Sequence, residues 1–414
     1  MRKPQDLRGA RAPSAGRRKL LSAGMAIGGA ALAGRAALSA AEGVMLPIAN
    51  GQRGFAAYPQ KRPLIVMTQR PVQLETPMPI FNEGVFTPND AFFVRWHISG
   101  VPTSVDATKH RINVHGLVKQ PLSLSVADLR NHYEQIEFAA VCQCSGNSRG
   151  LFEPRVAGGE WTNGAMGNAM WKGVRLRDIL AKAGVQTGAL QVRFNGLDTG
   201  PMTTVPDLIK ALDVDQALRE DVIVAYEMNG QPLPVLNGFP VRLVVPGWYA
   251  TYWVKMLHDV EVIGSVDNNF WMNPAYRIPD NACACIEPGQ KTKTIPINRM
   301  DVRSFITSVQ DGARVPVRQR VTVQGIAFDG GYGIKKVLFS PDGGRSWSET
   351  RLGRDHGNYS FRQWETAFEP PRPGTYDLQV LAFNTIGESQ RFTPRWNPAG
   401  YMRNVVETVR VHAA

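Results

Sequence analysis

Residues 141–149 read Val-Cys-Gln-Cys-Ser-Gly-Asn-Ser-Arg and bring thiols, a glycine turn and a guanidinium together within nine positions. The apolar run at 138–141 predicts a buried strand that ends at the first cysteine. A nearby guanidinium favours the thiolate form of a cysteine, which is the form that binds metals and attacks substrates. The segment therefore predicts a strand and a turn that aim one sulfur and one cation into a common pocket, although a purely structural turn fits the same pattern.

A second cluster of reactive side chains lies at 92–97, where the chain reads Phe-Phe-Val-Arg-Trp-His. Strand alternation would place Arg95 and His97 on the same face. Two such groups on one buried face favour an anionic partner, and the planar fork of arginine suits an oxyanion. An internal salt bridge beside a satisfied core histidine is the competing interpretation. Arg242 and Lys255 stand in other apolar runs, where an outward position on an edge strand is the default expectation for a cation.

The four cysteines form two closely spaced pairs, Cys142 with Cys144 and Cys283 with Cys285. A disulfide within either pair would close a very small ring, so we expect any bridge to join one pair to the other. The alternative is that all four thiolates bind one zinc ion, although structural zinc sites usually separate paired ligands by about two to four residues. No Cys-x-x-Cys-His motif occurs, which argues against a covalently attached c-type haem in this chain.

The basic excess of the chain is concentrated at its start. Eight lysines or arginines and one acid within residues 1–40 contribute +7 of the net charge of +12, so nucleic-acid binding is not predicted. Arg17 and Arg18 precede an apolar stretch at 20–34 that is too short to span a bilayer comfortably and resembles a twin-arginine export signal. We expect residues 1–41 to be this signal, the mature chain to be periplasmic, and no later membrane span. A Sec-type signal or an uncleaved anchor is the alternative.

The 414-residue chain is long enough for two or three domains, and its pattern of apolar residues changes near its last quarter. Strand patterns first mix with two helix patterns, one capped by Ser125 and one over 174–183 that stops at Gly184. This mixture predicts an α+β domain over residues 42–297. Short apolar or alternating runs separated by turn clusters then predict an immunoglobulin-like β-sandwich over residues 298–414.

These two clusters and five further motifs together resemble the sulfite oxidase family of molybdenum enzymes. The resemblance covers nearly everything after residue 60 and implies a sulfite-oxidase-type molybdopterin-binding catalytic domain followed by a dimerisation-type sandwich. The motifs are Phe-Phe-Val-Arg-x-His at 92–97, Cys-Ser-Gly-Asn-Ser-Arg at 144–149, Glu-Trp-Thr-Asn-Gly-Ala at 160–165, Tyr-Glu-Met-Asn-Gly-Gln-Pro-Leu-Pro at 226–234, Gly-Phe-Pro-Val-Arg at 238–242, Val-Pro-Gly at 245–247 and Val-Lys at 254–255.

The resemblance implies a metal ligand and a substrate pocket. Cys144 would be the thiolate bound to molybdenum, with Cys142 a bystander, and soft thiolate ligation of such a metal is chemically reasonable. Arg95 and Arg149 would line the pocket for the sulfite anion, with His97 assisting them. Animal relatives add another substrate arginine from the sandwich domain, and no motif places it in this chain.

The remaining roles implied by the resemblance concern the cofactor. Tyr276 would form a hydrogen bond near the metal oxygen, and Asp198, Asn237, Arg242 and Lys255 would contact the phosphate and ring of the pterin. Many family members have a histidine where this chain has Asn237. An asparagine amide can still hydrogen-bond a phosphate but brings no positive charge.

The activity implied by the resemblance is molybdenum-dependent oxidation of sulfite to sulfate by oxygen-atom transfer, with a molybdenum-molybdopterin cofactor and no haem in this chain. The electrons would pass to an external c-type cytochrome, free or as a small subunit, which describes a sulfite dehydrogenase. A homodimer or a heterodimer fits this interpretation. The alternatives are a sulfane dehydrogenase or another sulfur-compound oxidoreductase of the family, and, from another class, an exported β-sandwich binding module whose cysteine pairs are structural.

Overall fold

A computed structural model describes residues 43–414, and the expected export signal at residues 1–41 lies outside them. The part before the sandwich contains three short α-helices, α1 (Val126–His132), α2 (Leu176–Ala183) and α3 (Val214–Ala217), and four 3-10 helices at Met78–Asn82, Arg149–Leu151, Val235–Asn237 and Ala250–Tyr252. Its strands are β1 (Gly43–Met45), β2 (Gln52–Ala56), β3 (Leu64–Thr68), β4 (Gln73–Glu75), β5 (Val94–Arg95), β6 (Ile112–Gly116), β7 (Leu122–Leu124), β8 (Gln135–Gln143), β9 (Met166–Arg175), β10 (Gln191–Gly196), β11 (Ile209–Asp213), β12 (Ile223–Met228), β13 (Gln231–Pro232), β14 (Arg242–Val244), β15 (Leu257–Ile263), β16 (Arg277–Pro279) and β17 (Thr294–Pro296).

Three sheets organise this first part. One has the order β1-β2-β3-β4-β5, a second has the order β11-β10-β15-β6-β7, and a third has the order β13-β12-β9-β8 with β14 also paired to β12. The longest pairing joins β8 to β9, from Gln135 opposite Val174 to Gln143 opposite Met166. Gly167 on β9 allows Phe92 to pack directly against the backbone, because a Cβ at this position would lie 2.5 Å from the Phe92 ring.

The ends of the helices follow from local side-chain chemistry. Ser125 Oγ accepts a hydrogen bond from the Asp128 amide, and the Asp128 carboxylate accepts one from the Ser125 amide, which confirms the predicted capping pair of α1. The second predicted helix begins two residues later than expected because residues 174–175 pair with β12 in the third sheet. It ends at Gly184, whose φ of 71° is the left-handed conformation of a helix C-cap.

The C-terminal part is a two-sheet β-sandwich. The first sheet has the order β18-β20-β24-β23 and the second β19-β26-β25-β21-β22, and a separate hydrophobic core that includes Val323, Val337, Trp364 and Val380 contains residues from both. The sandwich is thus confirmed, while its immunoglobulin-like type stays a prediction. Its strands are β18 (Arg303–Ile306), β19 (Ala313–Val315), β20 (Val321–Phe328), β21 (Ile334–Ser340), β22 (Ser348–Glu349), β23 (Arg351–Leu352), β24 (Arg362–Phe368), β25 (Gly374–Asn384) and β26 (Thr408–Ala413).

The sandwich packs directly against the part that precedes it. Phe361 contacts Phe81 edge-to-face, with ring centroids 5.8 Å apart, and the Val141 amide on β8 donates a hydrogen bond to the Tyr359 carbonyl at 2.8 Å. Strand residues far outnumber helix residues in the described chain, so the expected α+β domain is more β-rich than the sequence suggested. Within residues 43–414, no helix has the length and apolar character needed to cross a bilayer.

Candidate active site

The turn that carries Cys144 is closed by hydrogen bonds on both sides. The Cys144 amide donates to the Ala165 carbonyl at 2.9 Å, and the Asn147 amide donates to the Cys144 carbonyl at 3.0 Å. The Asn147 side chain accepts from the Ala165 amide and donates to Gln143 Oε1, which ties the turn to the ends of β8 and β9. Gly146 leaves room for the guanidinium of Arg149, because a Cβ at this position would overlap it. The predicted strand and turn are confirmed, and the Cys144 side chain is held on a fixed backbone.

A cavity adjoins this turn, with about 430 Å³ of empty space including the part open to solvent. Seven of the nine predicted site residues contribute to its wall, although they come from five separate segments of the chain: Arg95, His97, Cys144, Asn237, Arg242, Lys255 and Tyr276. The other lining residues are Phe92, Phe93, Cys142, Ser145, Leu236, Ala250 and Thr251. The fold therefore brings the predicted thiol, cations and tyrosine together in one cavity.

Arg149 is buried beside this cavity and does not form part of its wall. Its Nε donates to the Ala399 carbonyl at 3.0 Å, and its guanidinium lies 5.2 Å from the centre of the Tyr401 ring. Tyr401 in turn stacks on Tyr276, with ring centroids 5.4 Å apart. Arg149 therefore acts on the cavity in this structure through its charge and through the two tyrosines.

Asp198, the ninth predicted residue, is also buried next to the cavity wall. Its Oδ2 has no hydrogen-bond partner within residues 43–414. Burial raises the pKa of this carboxyl to about 6, and the nearby positive charges of Lys255 and Arg95 oppose the increase. Its placement leaves one acidic group close to a cluster of cations.

His97 and Tyr276 form a hydrogen-bonded pair although they are 179 positions apart. The Tyr276 hydroxyl lies 2.5 Å from His97 Nε2. Burial raises the pKa of the Tyr276 phenol, while burial and then the charge of Arg95 hold the pKa of His97 well below its ordinary value. The imidazole is therefore neutral and the phenol protonated, so the phenol donates to Nε2 and the proton of His97 resides on Nδ1.

This assignment makes His97 a hydrogen-bond donor. Its Nδ1 is buried and has no partner within the described chain. The Trp271 ring packs edge-to-face on the imidazole, with ring centroids 5.2 Å apart, and helps to fix its orientation. A neutral imidazole that offers an N–H can bind an anion without adding another buried charge to the site.

Arg242 is held in the interior by its neighbours. It is 3% exposed, and its Nη1 and Nη2 donate to the carbonyls of Asn237 and Trp253 at 3.0 and 3.1 Å. The guanidinium lies between the rings of Trp171 and Trp253, at 5.1 and 5.6 Å from their centres. The expected outward position on an edge strand is wrong for Arg242, because carbonyls and aromatic faces stabilise it inside.

Lys255 is also directed inward rather than away from the protein. Its Nζ donates to the Arg95 carbonyl at 2.9 Å and lies 4.4 Å from the centre of the Trp96 ring. Burial, followed by the charge of Arg242, lowers the pKa of Lys255 to about 7. The outward default is therefore wrong here as well, and the ammonium lies among other cations.

Several buried polar atoms around the cavity have no hydrogen-bond partner in the described part of the chain. Such atoms are rare in folded proteins, and their concentration at one place indicates a polar ligand. They are Arg95 Nε and Nη1, His97 Nδ1, Ser145 Oγ, Asp198 Oδ2, Asn237 Oδ1, Arg242 Nε and Thr251 Oγ1. The competing interpretation, an internal salt bridge of Arg95, is wrong, since no carboxylate within residues 43–414 pairs with this side chain.

The donors present fit a cofactor that is anionic and carries its own metal ligands. Cys144 supplies a soft sulfur ligand, while Arg242, Lys255 and the unpaired donors around them suit a phosphate. Within residues 43–414, no group of three or more His, Cys, Asp or Glu side chains is arranged to hold a metal ion. Cys144 would hold the metal of such a cofactor, and Arg242 and Lys255 would hold its phosphate.

Fold and site together define a molybdopterin-dependent oxidoreductase. The sequence matches the family described as "Oxidoreductase molybdopterin binding domain" over residues 98–271, and that described as "Mo-co oxidoreductase dimerisation domain" over residues 294–413. It is 33% identical to human mitochondrial sulfite oxidase over 401 residues, which cover 90% of this chain and 70% of the human protein. It is 34% identical to chicken sulfite oxidase over 374 residues, which cover 85% of this chain and 79% of the chicken protein. The chain belongs to the sulfite oxidase family.

A solved structure agrees at the level of the fold. The sulfane dehydrogenase SoxCD from Paracoccus pantotrophus is similar with a TM-score of 0.70 over 82% of this chain and 84% of that chain. The two sequences are 24% identical, so this similarity describes the fold alone. It covers enough of the chain to include both the first part and the sandwich.

The cysteine predictions need one correction. Cys283 and Cys285 form a disulfide with each other, while Cys142 and Cys144 are free, so the expected bridge between the two pairs is wrong. The left-handed conformation of the intervening Ala284, with φ of 49°, allows the chain to close this small ring. A four-thiolate zinc site is excluded as well, because two of its four sulfurs are bonded to each other.

Tyr401 is a site residue that sequence reasoning missed. It stacks on Tyr276 and lies beneath Arg149. A signal for it exists in the sequence, since Asn-Pro-Ala-Gly-Tyr at 397–401 echoes Asn-Pro-Ala-Tyr at 273–276. Lys210 was missed too, and its Nζ lies 5.0 Å from the Tyr276 ring centre, but no local pattern distinguishes it from a surface lysine.

Proposed function

We propose that this protein oxidises sulfite to sulfate at a molybdenum-molybdopterin cofactor bound through Cys144. The observation that carries the proposal is the cavity itself, where the Cys144 sulfur lies among three cationic side chains and a neutral histidine donor. When bound, the cofactor supplies the oxygen atom that sulfite gains and takes up the two electrons that sulfite loses. The protein contributes binding, orientation and charge stabilisation.

The substrate side of the cavity is formed by Arg95 and His97. Arg95 offers two unpaired guanidinium atoms, and His97 offers the N–H of Nδ1. Fixed donors of this kind stabilise an oxyanion because they need no reorganisation when the anion arrives. Tyr276 keeps His97 in the donating tautomer, and Arg149 adds positive potential from behind the two stacked tyrosines.

Other residues at the cavity suit the anionic pterin. Arg242 is fixed by two carbonyls and retains an unpaired Nε, and Asn237 retains an unpaired Oδ1. Lys255 has a pKa of about 7 in the ligand-free chain, and a phosphate placed beside it would raise that pKa and favour the ammonium. Asp198, partly protonated near neutral pH, can serve a ring N–H as an acceptor.

Metal and turnover analysis of two matched cysteine variants tests this proposal. Cys144→Ser is expected to abolish stoichiometric molybdenum and sulfite-dependent reduction of cytochrome c, while Cys142→Ser is expected to retain molybdenum because its sulfur is the bystander. Arg95→Gln should raise the KM for sulfite about 10- to 100-fold, the effect of a lost charged hydrogen bond. Full molybdenum content and turnover in Cys144→Ser would refute the assignment.

The electron acceptor is proposed to be an external c-type cytochrome, because the chain has no covalent haem motif and two electrons must leave after each turnover. Turnover with cytochrome c and none with oxygen would support a sulfite dehydrogenase, and the reverse would support an oxidase. Turnover with a sulfane-sulfur substrate but not with sulfite would change the substrate while leaving the cofactor site in place.

Location and assembly follow as further proposals. The twin-arginine pattern at residues 17–18 supports export to the periplasm, which cell fractionation with and without residues 1–41 would test. The match of residues 294–413 to a dimerisation domain supports a homodimer, and an immunoglobulin-like sandwich would supply its surface. Sedimentation of the purified protein would distinguish this dimer from a monomer or a heterodimer.

A further inference from the structure

A second, smaller cavity lies outside the proposed active site, between the loop that carries the disulfide and the segment 391–405. The empty space between its walls, including the part open to solvent, is about 320 Å³. Among its lining residues are Cys283, Ala284, Asp301 and three arginines, Arg391, Arg395 and Arg403. A disulfide thus forms one wall of a cavity that is rich in guanidinium groups.

The disulfide is arranged for reactivity rather than for cross-linking. It joins residues only two positions apart and leaves both cysteines partly exposed, so it constrains little of the chain. The intervening Ala284 has φ of 49°, a left-handed conformation that is unfavourable for a residue with a side chain. The Asn281 side chain holds the loop by donating to the Cys285 carbonyl at 2.9 Å. Strained or exposed disulfides are the ones that nucleophiles open most readily.

The charge of the cavity favours an anionic nucleophile. Arg391 donates to the Cys283 carbonyl at 3.4 Å, and neither Arg391 nor Arg395 has a carboxylate within 4.0 Å among residues 43–414. Arg403 pairs with Glu407, but its Nε is buried and unpartnered in the described chain, and its side chain is 9% exposed.

Asp301 is the acid in this wall, and burial raises its pKa to about 6, so it is largely ionised at neutral pH. Because Glu407 pairs with Arg403, the excess positive charge of the cavity comes from Arg391 and Arg395, which together outweigh the single carboxyl of Asp301.

We infer that the Cys283–Cys285 disulfide is a site of covalent modification by sulfite, and this inference rests on the proposed function because it takes sulfite as the anion the protein meets. The sulfur lone pair of sulfite attacks one cysteine sulfur, and a new sulfur–sulfur bond forms to give an S-sulfocysteine. The Cys283–Cys285 bond breaks, and the other cysteine leaves as a thiolate that takes a proton from water. The reaction consumes no oxidant and no reductant.

The surrounding arginines assist both halves of this reaction. They attract the sulfite dianion before attack and stabilise the sulfonate and the thiolate after it. The segment 391–405, which lines this cavity, also contacts Arg149 beside the active site. The Ile286 amide of the disulfide loop donates to the Trp396 carbonyl at 3.0 Å, and a few residues further on the Ala399 carbonyl accepts from Arg149.

Mass spectrometry of one peptide tests the inference directly. Trypsin releases residues 278–291, which contain Cys283 and Cys285 and no other cysteine. The full chain, loaded with molybdenum and without cytochrome, is incubated with sodium sulfite, alkylated with iodoacetamide and digested without reductant. The expected peptide carries one sulfonate and one alkylated thiol. A peptide that keeps its disulfide throughout would overturn the inference.

Arginine variants test whether the arginines promote the reaction or whether the disulfide reacts only because it is exposed. The double variant Arg391→Gln/Arg395→Gln is expected to slow sulfonation about tenfold, the scale on which local charge changes association rates. Arg354→Gln removes an exposed arginine of the sandwich that lies outside the cavity lining, and it should react like the unchanged protein. Equal rates in all three proteins would remove the arginines from the mechanism and overturn the inference.

The two proposals fail independently of each other. Cys144→Ser is expected to lose sulfite oxidation and still gain the sulfonate. The double variant Cys283→Ser/Cys285→Ser is expected to keep sulfite oxidation and to gain no sulfonate. Sulfonation without any sulfite oxidation in the unchanged protein would refute the proposed function alone. Oxidation without sulfonation would refute this inference alone.

Discussion

Arg303 is the side chain through which the sandwich reaches the turn that carries Cys144. It lies on β18 and is 2% exposed. Its Nη2 donates to Ser148 Oγ at 3.0 Å and lies 3.4 Å from a carboxylate oxygen of Glu407. Burial lowers the pKa of this guanidinium to about 10, so it stays protonated at neutral pH. We therefore predict that Arg303→Met weakens both the sandwich contact and the order of the Cys144 turn.

The size of the effect follows from the groups left behind. A hydrogen bond to a charged group contributes about 1.5–3 kcal/mol. In the variant, Ser148 Oγ retains its hydrogen bond to Asn163, and Glu407 retains its ion pair with Arg403. The substitution therefore leaves no buried charge without a partner. We expect the free energy of unfolding to fall by about 2 kcal/mol, and molybdenum content to fall with it because the backbone that carries Cys144 loses one of its supports.

Urea unfolding followed by fluorescence measures the stability, and elemental analysis measures the molybdenum. Arg351→Met is the matched control, because it removes an arginine whose ion pair with Glu365 is on the surface and should have little effect on either measurement. Arg303→Met with unchanged stability and full molybdenum content would refute the view that the sandwich supports the catalytic turn.

Three further changes test other parts of the structure. Tyr276→Phe removes the hydrogen bond to His97 Nε2 but keeps the ring, and it should lower kcat/KM for sulfite about fivefold, the value of one neutral hydrogen bond; an unchanged kcat/KM would contradict the assigned tautomer. Arg242→Met should release the pterin, measured as the fluorescence of the oxidised pterin extracted from purified protein, and full pterin content would contradict its role. Burial lowers the pKa of Lys61 to about 7, so between pH 7 and about 10.5 the unfolded chain binds more protons and the folded protein gains stability as pH rises. The free energy of unfolding of the unchanged protein should therefore rise relative to Lys61→Met by about 2 kcal/mol from pH 7 to pH 9 in urea titrations, and a constant difference would contradict the burial of this lysine.

Local pattern was sufficient where local chemistry decides the structure. The cap at Ser125 and the stop at Gly184 were predicted because each depends on neighbours within one helical turn. One of the alternating runs that predicted strands in residues 298–414 forms β20 at Val321–Phe328. The strand expected at 92–97 is shorter in the structure and covers only Val94–Arg95, because β4 pairs with these two residues alone. The Trp96 amide instead donates a hydrogen bond to the Val72 carbonyl.

The site was predictable in its members but not in its contacts. The order of motifs pointed to Arg95, His97 and Cys144, and the fold does bring them to one cavity. The bond between His97 and Tyr276 crosses 179 positions, and no periodicity encodes a contact of that range. Arg242 was expected at the surface because cations seldom enter a core unpaired, and only the packed structure shows the two tryptophans and two carbonyls that hold it.

The arrangement of these cations limits what the cavity can be for. Arg95, Arg242 and Lys255 lie together at its wall, and Asp198 is the acidic group near them, with a pKa raised by burial. Three cations that are buried or half-buried and repel one another reduce the stability of the folded chain, since each loses solvation without a full counter-charge. An anionic ligand neutralises these charges when it binds. The relief of their repulsion then contributes to the binding free energy of the cofactor and the substrate. The unpaired donors are therefore better explained as one half of a binding site than as part of a finished core.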